Sequence, residues 1–426
     1  MTQLLDARRG RITEQMREVA REEKVDVELV RRRVAEGRIV IPHNPIHSPK
    51  SLGIGEGLRV KVNANIGTSR EHCNLDEEVE KAKVALRHGA HTIMDLSTGG
   101  DLDRIRETLL KVVNVPFGTV PIYQAAVEAI ERYGSIVDMS EDDMFNSFEH
   151  QAKQGVDFAV AHVGVTKESV ERLRRQDRMI PMVSRGGAFH MAWILHNDEE
   201  NPLYKNFDYL LEIAKEYDLT LSLGDGMRSG AIYDSNDRAK FQELLIIGEL
   251  VERAREKGVQ CIVEGPGHMP LNHIESNIRV MKTITKGAPY FVLGPLVTDI
   301  APGYDHLVAG IGGALAGYYG ADFLCYVTPA EHLSLPSAED VKEGVIAARI
   351  AAHSADLAKG IDREIDDEFS RARDHLDWKK MFELAIDPEK AKEYRKRRPP
   401  LEDPSTCTMC GKLCAIKIVN KYLRRG

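Results

Sequence analysis

The feature that most limits the fold is an alternation of short apolar, β-branched runs with helical stretches, from about residue 58 to about residue 327. Strand, helix and strand in repeated order place neighbouring strands parallel, because each helix carries the chain back along the sheet. Eight such units close into a barrel. We therefore predict an α/β fold, a (β/α)8 TIM barrel, with a doubly wound open sheet as the alternative.

Nine segments have the composition of strands although a barrel has eight places, so one of them is wrong or belongs to an insertion. The candidate strands are 58–63, 92–96, 118–122, 158–162, 180–183, 219–223, 261–263, 291–293 and 323–327. The clearest helical patterns between them are 75–88, 141–154, 203–217 and 239–257.

Four parts are predicted along the chain: an N-terminal helical appendage (1–57), the barrel (58–335), C-terminal helices (336–398) and an arm carrying three cysteines (399–426). Apolar spacing within residues 8–37 indicates two short amphipathic helices in the appendage. The C-terminal helices are expected at 337–359, 366–376, 378–384 and 388–397. Residues 395–404 are predicted to be a flexible lead into the arm, and their basic run, 395–398, is interpreted as a solvated linker.

Composition excludes several classes of function. The 426 residues are 42% hydrophobic and 29% charged with a net charge of -8, so there is no basic excess for nucleic acid.

No apolar run approaches the roughly 18 residues of a membrane span, and the polar start lacks a signal core, so we expect no membrane and a cytoplasmic location. No P-loop or dinucleotide fingerprint is present, which argues against ATP and NAD.

Three of the six cysteines, Cys407, Cys410 and Cys414, crowd the end of the chain. Three neighbouring thiolates can hold three irons of a 4Fe-4S cluster and leave the fourth iron open, whereas structural zinc takes four protein ligands. A zinc knuckle with a distant fourth ligand and idle thiols are the alternatives. The other three cysteines, Cys73, Cys261 and Cys325, are predicted to be structural.

Polar residues follow the predicted strands, where the active sites of such barrels are built. Any one of them alone is more simply an ordinary loop residue, but eight in the same structural place indicate a site. They are Asn65; Met94 and Asp95; Tyr123; His162; Ser184, Arg185 and Gly186; Asp225, Gly226, Met227 and Arg228; Glu264 to His268; and Glu331 and His332.

Two kinds of chemistry follow from these residues. His268 and His332 lie after strands that meet at the mouth, so they can ligate zinc or iron, or they can be two ordinary hydrogen-bonded histidines. Arg185 and Arg228 each lie beside glycines, a pairing of a bidentate cation with exposed backbone N–H groups that suits a phosphate.

Eight segments resemble the ThiC family of radical S-adenosylmethionine enzymes over essentially the whole chain. They are Asn-Ala-Asn-Ile-Gly (63–67), Met-Asp-Leu-Ser-Thr-Gly-Gly (94–100), Gly-Thr-Val-Pro-Ile-Tyr-Gln (118–124), Ser-Arg-Gly-Gly (184–187), Glu-Gly-Pro-Gly-His (264–268), Leu-Gly-Pro-Leu (293–296), Thr-Asp-Ile-Ala-Pro-Gly-Tyr-Asp-His (298–306) and Cys-Tyr-Val-Thr-Pro-Ala-Glu-His (325–332).

The resemblance implies a lyase that rearranges 5-aminoimidazole ribotide with a 4Fe-4S cluster, S-adenosyl-L-methionine, an electron donor and a second metal, zinc or iron. It also implies a homodimer in which one subunit's arm covers its partner's site. It assigns the cluster to Cys407, Cys410 and Cys414 and the second metal to His268 and His332. It assigns substrate contact to Asn65, Met94, Tyr123, His162, Ser184, Arg185, Gly186, Asp225, Gly226, Met227, Arg228 and Glu264. For proton transfer in this reaction, Glu264 and His162 are the candidates.

Three departures from the thiamine branch decide the sequence-based hypothesis on the product. Ser229 stands for a proline, Met269 for a valine, and the order Tyr290-Phe291 replaces Phe-Tyr, which removes a hydroxyl from a substrate-binding position. Loss of a hydroxyl partner or of a rigid proline can change the orientation of the reactive intermediate and hence the product. We therefore favour the branch that makes 5-hydroxybenzimidazole for the cobamide (cobalamin) lower ligand. Phosphomethylpyrimidine synthesis for thiamine is the alternative, and a non-catalytic iron–sulfur or zinc protein is a distant one.

Overall fold

The computed structural model describes residues 1–423 and divides into two compact units, Met1–Asp356 and Leu357–Gly426. The first unit contains a closed barrel of eight parallel strands, so the predicted α/β barrel is confirmed. Closure excludes the open sheet, because the last strand pairs with the first (Phe323 opposite Lys61) as well as with its predecessor (Phe323 opposite Phe291). The strands, numbered β1 to β8 along the chain, are Lys61–Ile66, Thr92–Asp95, Phe117–Thr119, Phe158–Ala161, Thr220–Leu223, Cys261–Gly265, Tyr290–Leu293 and Phe323–Cys325.

Helices surround the barrel and bury the outer faces of its strands. Their ends follow capping chemistry: the Asn74 side chain accepts from the first turn of the helix after β1, and Gly155 ends a later helix at positive φ. None of the helices within residues 1–423 is both long and apolar enough to cross a bilayer. The helices of this unit beyond residue 60 are Leu75–Arg87, Leu102–Val112, Pro121–Tyr133, Glu141–Gln154, Lys167–Arg174, Arg185–Asn197, Pro202–Lys205, Phe207–Tyr217, Arg238–Lys257, Leu271–Ile284, Asp305–Tyr319 and Ala338–Ala358, with short 3-10 turns at Ile136–Asp138 and Ile232–Asp234.

Two predicted elements of the barrel region are wrong. Segment 180–183 is a loop, because the backbone N–H groups of Met179 and Ile180 donate to the Asp234 carboxylate (3.0 Å each) and Pro181 has no N–H for a strand ladder. The predicted helix 203–217 is interrupted at Asn206 and forms two helices. The Asn206 side chain donates to Glu141 Oε2 (2.9 Å).

The N-terminal segment closes the end of the barrel where the strands begin. It contains the helices Gln3–Arg8, Glu14–Glu23 and Val27–Ala35, one more than predicted, and the short paired strands Ile39–Val40 and Ile54–Gly55. Ile41 N donates to Gln260 Oε1 (2.8 Å) just before β6, and Asn44 N donates to Asp157 Oδ1 (2.8 Å) just before β4. The opposite end of the barrel is thus left for a site.

The second unit is helical and holds the cysteine segment. Its helices are Glu364–Asp374, Trp378–Leu384, Pro388–Arg397 and Ala415–Leu423, with a 3-10 turn at Gly411–Leu413. The Arg395 guanidinium lies 3.6 Å from the centroid of the Trp378 ring and donates to the carbonyl oxygens of Pro404 and Thr406. The interpretation of residues 395–398 as a solvated linker is therefore wrong for Arg395, which ties the chain before Cys407 to the helices.

Candidate active site at the barrel mouth

A cavity of about 100 Å³ lies at the carboxyl ends of the barrel strands. Parallel strands end together at this edge, so one or two side chains per strand suffice to line it. Polar and apolar groups are mixed there, as is usual for sites that orient a small molecule. Of the twelve side chains predicted to contact substrate, seven line the cavity: Asn65, Met94, Tyr123, His162, Asp225, Arg228 and Glu264.

Glu264, the fourth residue of β6, is the cavity carboxyl with the clearest shift in acidity. Burial raises the pKa of Glu264 to about 7, while a hydrogen bond from Ser222 Oγ (2.8 Å) and the charge of Arg228 oppose the rise. A carboxyl with this pKa exchanges a proton readily near neutral pH.

His162 follows β4 and its ring is packed between two glycine backbones. A methyl group at Gly186 would lie 2.2 Å from His162 Cε1, and one at Gly224 would lie 2.8 Å from Cδ2, so only glycine fits at either position. Burial lowers the pKa of His162 far below its usual value, and nearby His190 and Arg228 add to this effect. His162 is therefore a neutral imidazole at physiological pH.

Ser184, Arg185 and Gly186 form the start of the helix Arg185–Asn197 rather than the cavity lining. The buried Ser184 hydroxyl accepts a hydrogen bond from Gly187 N (3.1 Å) and caps the helix. The Arg185 guanidinium lies 5.1 Å from the ring centroid of Tyr123, which does line the cavity. The helix start, with its positive end of the helix dipole, is thus next to the cavity wall.

Gly226 and Met227 do not present groups to the cavity. Their backbone N–H groups donate to Glu243 Oε1 (2.9 Å) and Oε2 (2.8 Å), and the Met227 side chain is buried in the core. The loop between β5 and the next helix is therefore held by Glu243, with Asp225 and Arg228 facing the cavity from either side of this attachment.

Eight residues that line the cavity lie outside the twelve predicted substrate contacts, and Cys325 and Phe291 are two of them. Cys325, expected to be structural, lines the cavity, and Asn65 Nδ2 lies 3.0 Å from its sulfur. Phe291 also lines the cavity, stacked on Phe323 at 4.1 Å. Cys325 is the last residue of β8 but lies inside the predicted strand 323–327, so the strand-end rule missed it. Phe291, the second residue of β7, is the substrate-binding position that the exchange with Tyr290 indicates.

The three departures from the thiamine branch have different structural consequences. Tyr290 points away from the cavity and donates to Asn277 Oδ1 (2.9 Å), so the exchange with Phe291 does place a phenyl ring where a phenol would stand. Ser229 is buried and donates to the backbone oxygen of His268, and Met269 is buried in the core. Two of the three departures therefore do not reshape the cavity lining.

His268 and His332 lie side by side, with ring centroids 5.3 Å apart. Each Nδ1 is paired with a carboxylate: Asp299 Oδ1 at 2.7 Å from His268, and Asp305 Oδ1 at 2.9 Å from His332. Such carboxylates fix the ring orientation of metal-ligating histidines and leave Nε2 for the metal. Two neighbouring imidazoles are suitable ligands for zinc or iron.

The cysteine segment has the donor chemistry that an iron–sulfur cluster requires. Cys407, Cys410 and Cys414 form no disulfide and lie on consecutive turns, where Cys407 O accepts from Gly411 N (2.9 Å). The backbone N–H groups of Cys410 and Met409 lower the pKa of the Cys407 thiol, which favours the thiolate that metals bind. Among residues 1–423, no group of three or more His, Cys, Asp or Glu side chains is preassembled around a metal position, so the fit depends on donor type and spacing.

Comparison with known proteins gives a consistent result over the whole chain. The sequence model of the Radical SAM ThiC family matches residues 2–421. The phosphomethylpyrimidine synthase of Methanocaldococcus jannaschii is 57% identical over 427 residues, which cover 100% of both chains. The phosphomethylpyrimidine synthases of Desulforudis audaxviator and Pyrococcus furiosus are 60% and 58% identical, and the matches cover 99% of this chain and 98% and 99% of theirs.

Proposed function

This chain belongs to the ThiC family of radical S-adenosylmethionine enzymes, and we propose that it is a phosphomethylpyrimidine synthase of thiamine biosynthesis that rearranges 5-aminoimidazole ribotide. The observation that carries the proposal is 56–60% identity, over nearly the full length, to relatives that bear this name. The 5-hydroxybenzimidazole hypothesis finds no support among these relatives. Of the sequence features behind it, only the Phe291 exchange reaches the cavity.

The ribotide phosphate has a suitable place beside the cavity. The helix Arg185–Asn197 begins there, and the Arg185 side chain lies over Tyr123 while Arg228 lines the cavity. A helix start with an adjacent guanidinium binds a phosphate through backbone N–H groups, the helix dipole and bidentate hydrogen bonds. In this proposal Arg185 and Arg228 bind the phosphate, and Gly186 keeps the backbone close to His162.

Proton transfer is assigned to Glu264 rather than to His162. Glu264, with its pKa raised to about 7 by burial, changes charge near neutral pH, whereas burial keeps His162 neutral. His162 then orients the substrate by hydrogen bonding, and Glu264 accepts and returns a proton during the rearrangement. Asn65 and Asp225 supply further polar contacts in the cavity.

The cluster belongs to Cys407, Cys410 and Cys414 in the proposal, and the family implies both the cluster and S-adenosylmethionine. When bound, this pair supplies one-electron reductive cleavage of the sulfonium as the source of the radical. The chain's own contribution is to hold the cysteine segment in place, which it does through Trp378 and Arg395: Trp378 Nε1 donates to Ser405 O (2.9 Å).

Two partners are part of the proposal. An external electron donor is required because each reductive cleavage consumes one electron that the chain does not hold. A second copy of the chain is implied by the family resemblance, and an exposed apolar face on the helix Asp305–Tyr319 supports self-association, since Leu307, Ile311 and Tyr318 are each about half exposed.

A second divalent metal is proposed on His268 and His332, and it leads to a prediction for Asp305. Replacing Asp305 with alanine removes the hydrogen bond that orients His332, so the affinity for zinc or iron(II) should fall about 10- to 100-fold. The affinity is measured by competition with a chromogenic chelator. The exposed Asp142, replaced by alanine, is the control and should leave affinity unchanged. Equal metal affinities in the wild type and both variants would contradict a metal site on His268 and His332.

The proposed function can be tested by growth. A bacterium without its own pyrimidine synthase, expressing this chain, should grow anaerobically without thiamine, and the Cys410→Ala variant should not support growth. Both strains should grow when the free pyrimidine is supplied, which controls for the rest of the pathway. Absence of growth with abundant wild-type protein and a loaded cluster would contradict the proposal.

A further inference from the structure

Behind the cavity carboxyl Asp225 lies a lysine that has no direct part in lining the cavity. Lys240, in the first turn of the helix Arg238–Lys257, is buried, and its Nζ lies 3.7 Å from Asp225 Oδ2. Neither Nζ nor Oδ2 has a hydrogen-bond partner in the described structure, although both atoms are buried. A buried ammonium is costly unless a carboxylate compensates it, so the two groups depend on each other.

Glu243, one turn later on the same helix, has a different role. Both of its oxygens accept backbone N–H groups, from Gly226 and Met227, and the carboxyl is buried. Burial, followed by the charge of Asp225, raises the pKa of Glu243 well above its usual value. Glu243 therefore fixes the loop, and its raised pKa disfavours a second negative charge beside Asp225.

Another buried cation of this cluster, Arg178, is already paired with a carboxylate. Arg178 binds the Asp237 carboxylate through Nε and Nη2 (2.5 and 2.8 Å) and donates to Met227 O (2.7 Å). Burial lowers the pKa of Lys240, and the charge of Asp225 is the largest effect that opposes this lowering, so Lys240 and Asp225 form a pair. The charged or titratable groups that interact with Asp225 are Lys240 and Glu243 on the helix, Arg228 on its own loop, Glu264 on β6 and, from outside the cavity, Tyr290 on β7.

We propose that Lys240 is a positioning residue for the reaction: its ammonium keeps the Asp225 carboxylate charged and turned into the cavity, where it accepts a hydrogen bond from the ribotide. This inference rests on the proposed function, because the ribotide is its ligand. Asp225 reaches the cavity from a loop whose next two residues, Gly226 and Met227, are held by Glu243 and Arg178. The backbone contacts of the loop thus fix the position of Asp225, and Lys240 stabilises the charge of its carboxylate.

The test is the pH dependence of ribotide affinity, measured by calorimetry on cluster-loaded protein without S-adenosylmethionine, so that the ligand stays intact. In Lys240→Met the carboxyl cluster loses its cation and retains a proton to higher pH. Affinity at pH 6.5 should therefore be at least about tenfold weaker than in the wild type, and the deficit should shrink toward pH 8.5. Asp225→Asn should bind the ribotide weakly at every pH. Its pH profile shows how titration of the ribotide itself affects the affinity.

A matched control is Lys61→Met, which removes another buried lysine, paired with Glu23 (3.1 Å) at the opposite end of the barrel, and should leave ribotide affinity unchanged. Wild-type affinity with a wild-type pH profile in Lys240→Met would overturn the inference while leaving the proposed function intact. Failure of the wild type to bind the ribotide would instead overturn the proposed function. If Lys240→Met does not fold, the double variant Lys240→Met/Asp225→Asn is tested. Folding of the double variant supports the pairing of Lys240 with Asp225, and a double variant that does not fold contradicts this pairing.

Discussion

Replacement of Cys410 with alanine is expected to reduce S-adenosylmethionine cleavage to the uncatalysed background. Two thiolates hold a cubane cluster poorly, and the lost ligand cannot be supplied by another cysteine on the same turns, since Cys407 and Cys414 are already required. Iron and sulfide content per chain should fall together with the broad absorbance near about 400 nm that thiolate clusters show. Cleavage is measured as 5'-deoxyadenosine released by the anaerobically reconstituted, reduced protein.

The matched control for this result is Cys73→Ser. Cys73 is an exposed free thiol outside the cavity lining, so its variant should retain iron, sulfide and cleavage. Full cleavage by the Cys410 variant would show that the cysteine triplet does not hold the catalytic cluster. One tightly bound zinc per chain in the wild type, without sulfide, would identify the segment as a zinc knuckle instead.

Replacement of Glu264 with glutamine is expected to lower the turnover of the ribotide about 10²- to 10⁴-fold, the usual loss when a positioned acid–base group is removed. The wild type should gain activity as pH rises through about 7, where Glu264 becomes a carboxylate. The variant should lack this rising limb of the pH–activity profile. Ser222→Ala is the matched variant, because removal of its hydrogen bond raises the pKa of Glu264 further and moves the limb to higher pH. An unchanged limb in both variants would exclude Glu264 as the titrating group.

The same substitution has an expected effect on stability. The pKa of Glu264 is raised in the folded state, so its favourable contribution is complete below its unfolded pKa and is lost as pH rises through about 7. Glutamine does not ionise, so above pH 7 the variant should be more stable than the wild type, by up to about 3 kcal/mol from a shift of this size. Urea unfolding at pH 5 and pH 8 measures the difference, which should be small at pH 5.

The barrel could be predicted because its strands are buried on both faces and most of them read as short apolar runs, although β1 carries Lys61, Asn63 and Asn65. The strand-end rule then brought Asn65, Tyr123, His162 and Glu264 to one cavity, although these residues are far apart in sequence. The false strand at 180–183 has the same composition, and only its tertiary partner, Asp234, which takes two of its backbone donors, distinguishes it from a real one.

The missed features depend on tertiary contacts that leave no local pattern. Cys325 looked structural because a thiol among apolar residues is usually core, and only its neighbour Asn65 shows that it faces the cavity. The roles of Glu243 and Lys240 are invisible in sequence, since both lie on a helix one turn apart like any solvent-facing pair. The weight given to Ser229 and Met269 was misplaced for a related reason: a change near a site need not face it.

The most direct test of the central claim is the identity of the product. Reduced, cluster-loaded protein incubated with 5-aminoimidazole ribotide and S-adenosylmethionine should yield phosphomethylpyrimidine, identified by mass spectrometry against an authentic standard. Formation of 5-hydroxybenzimidazole, or consumption of S-adenosylmethionine without change in the ribotide, would contradict the account.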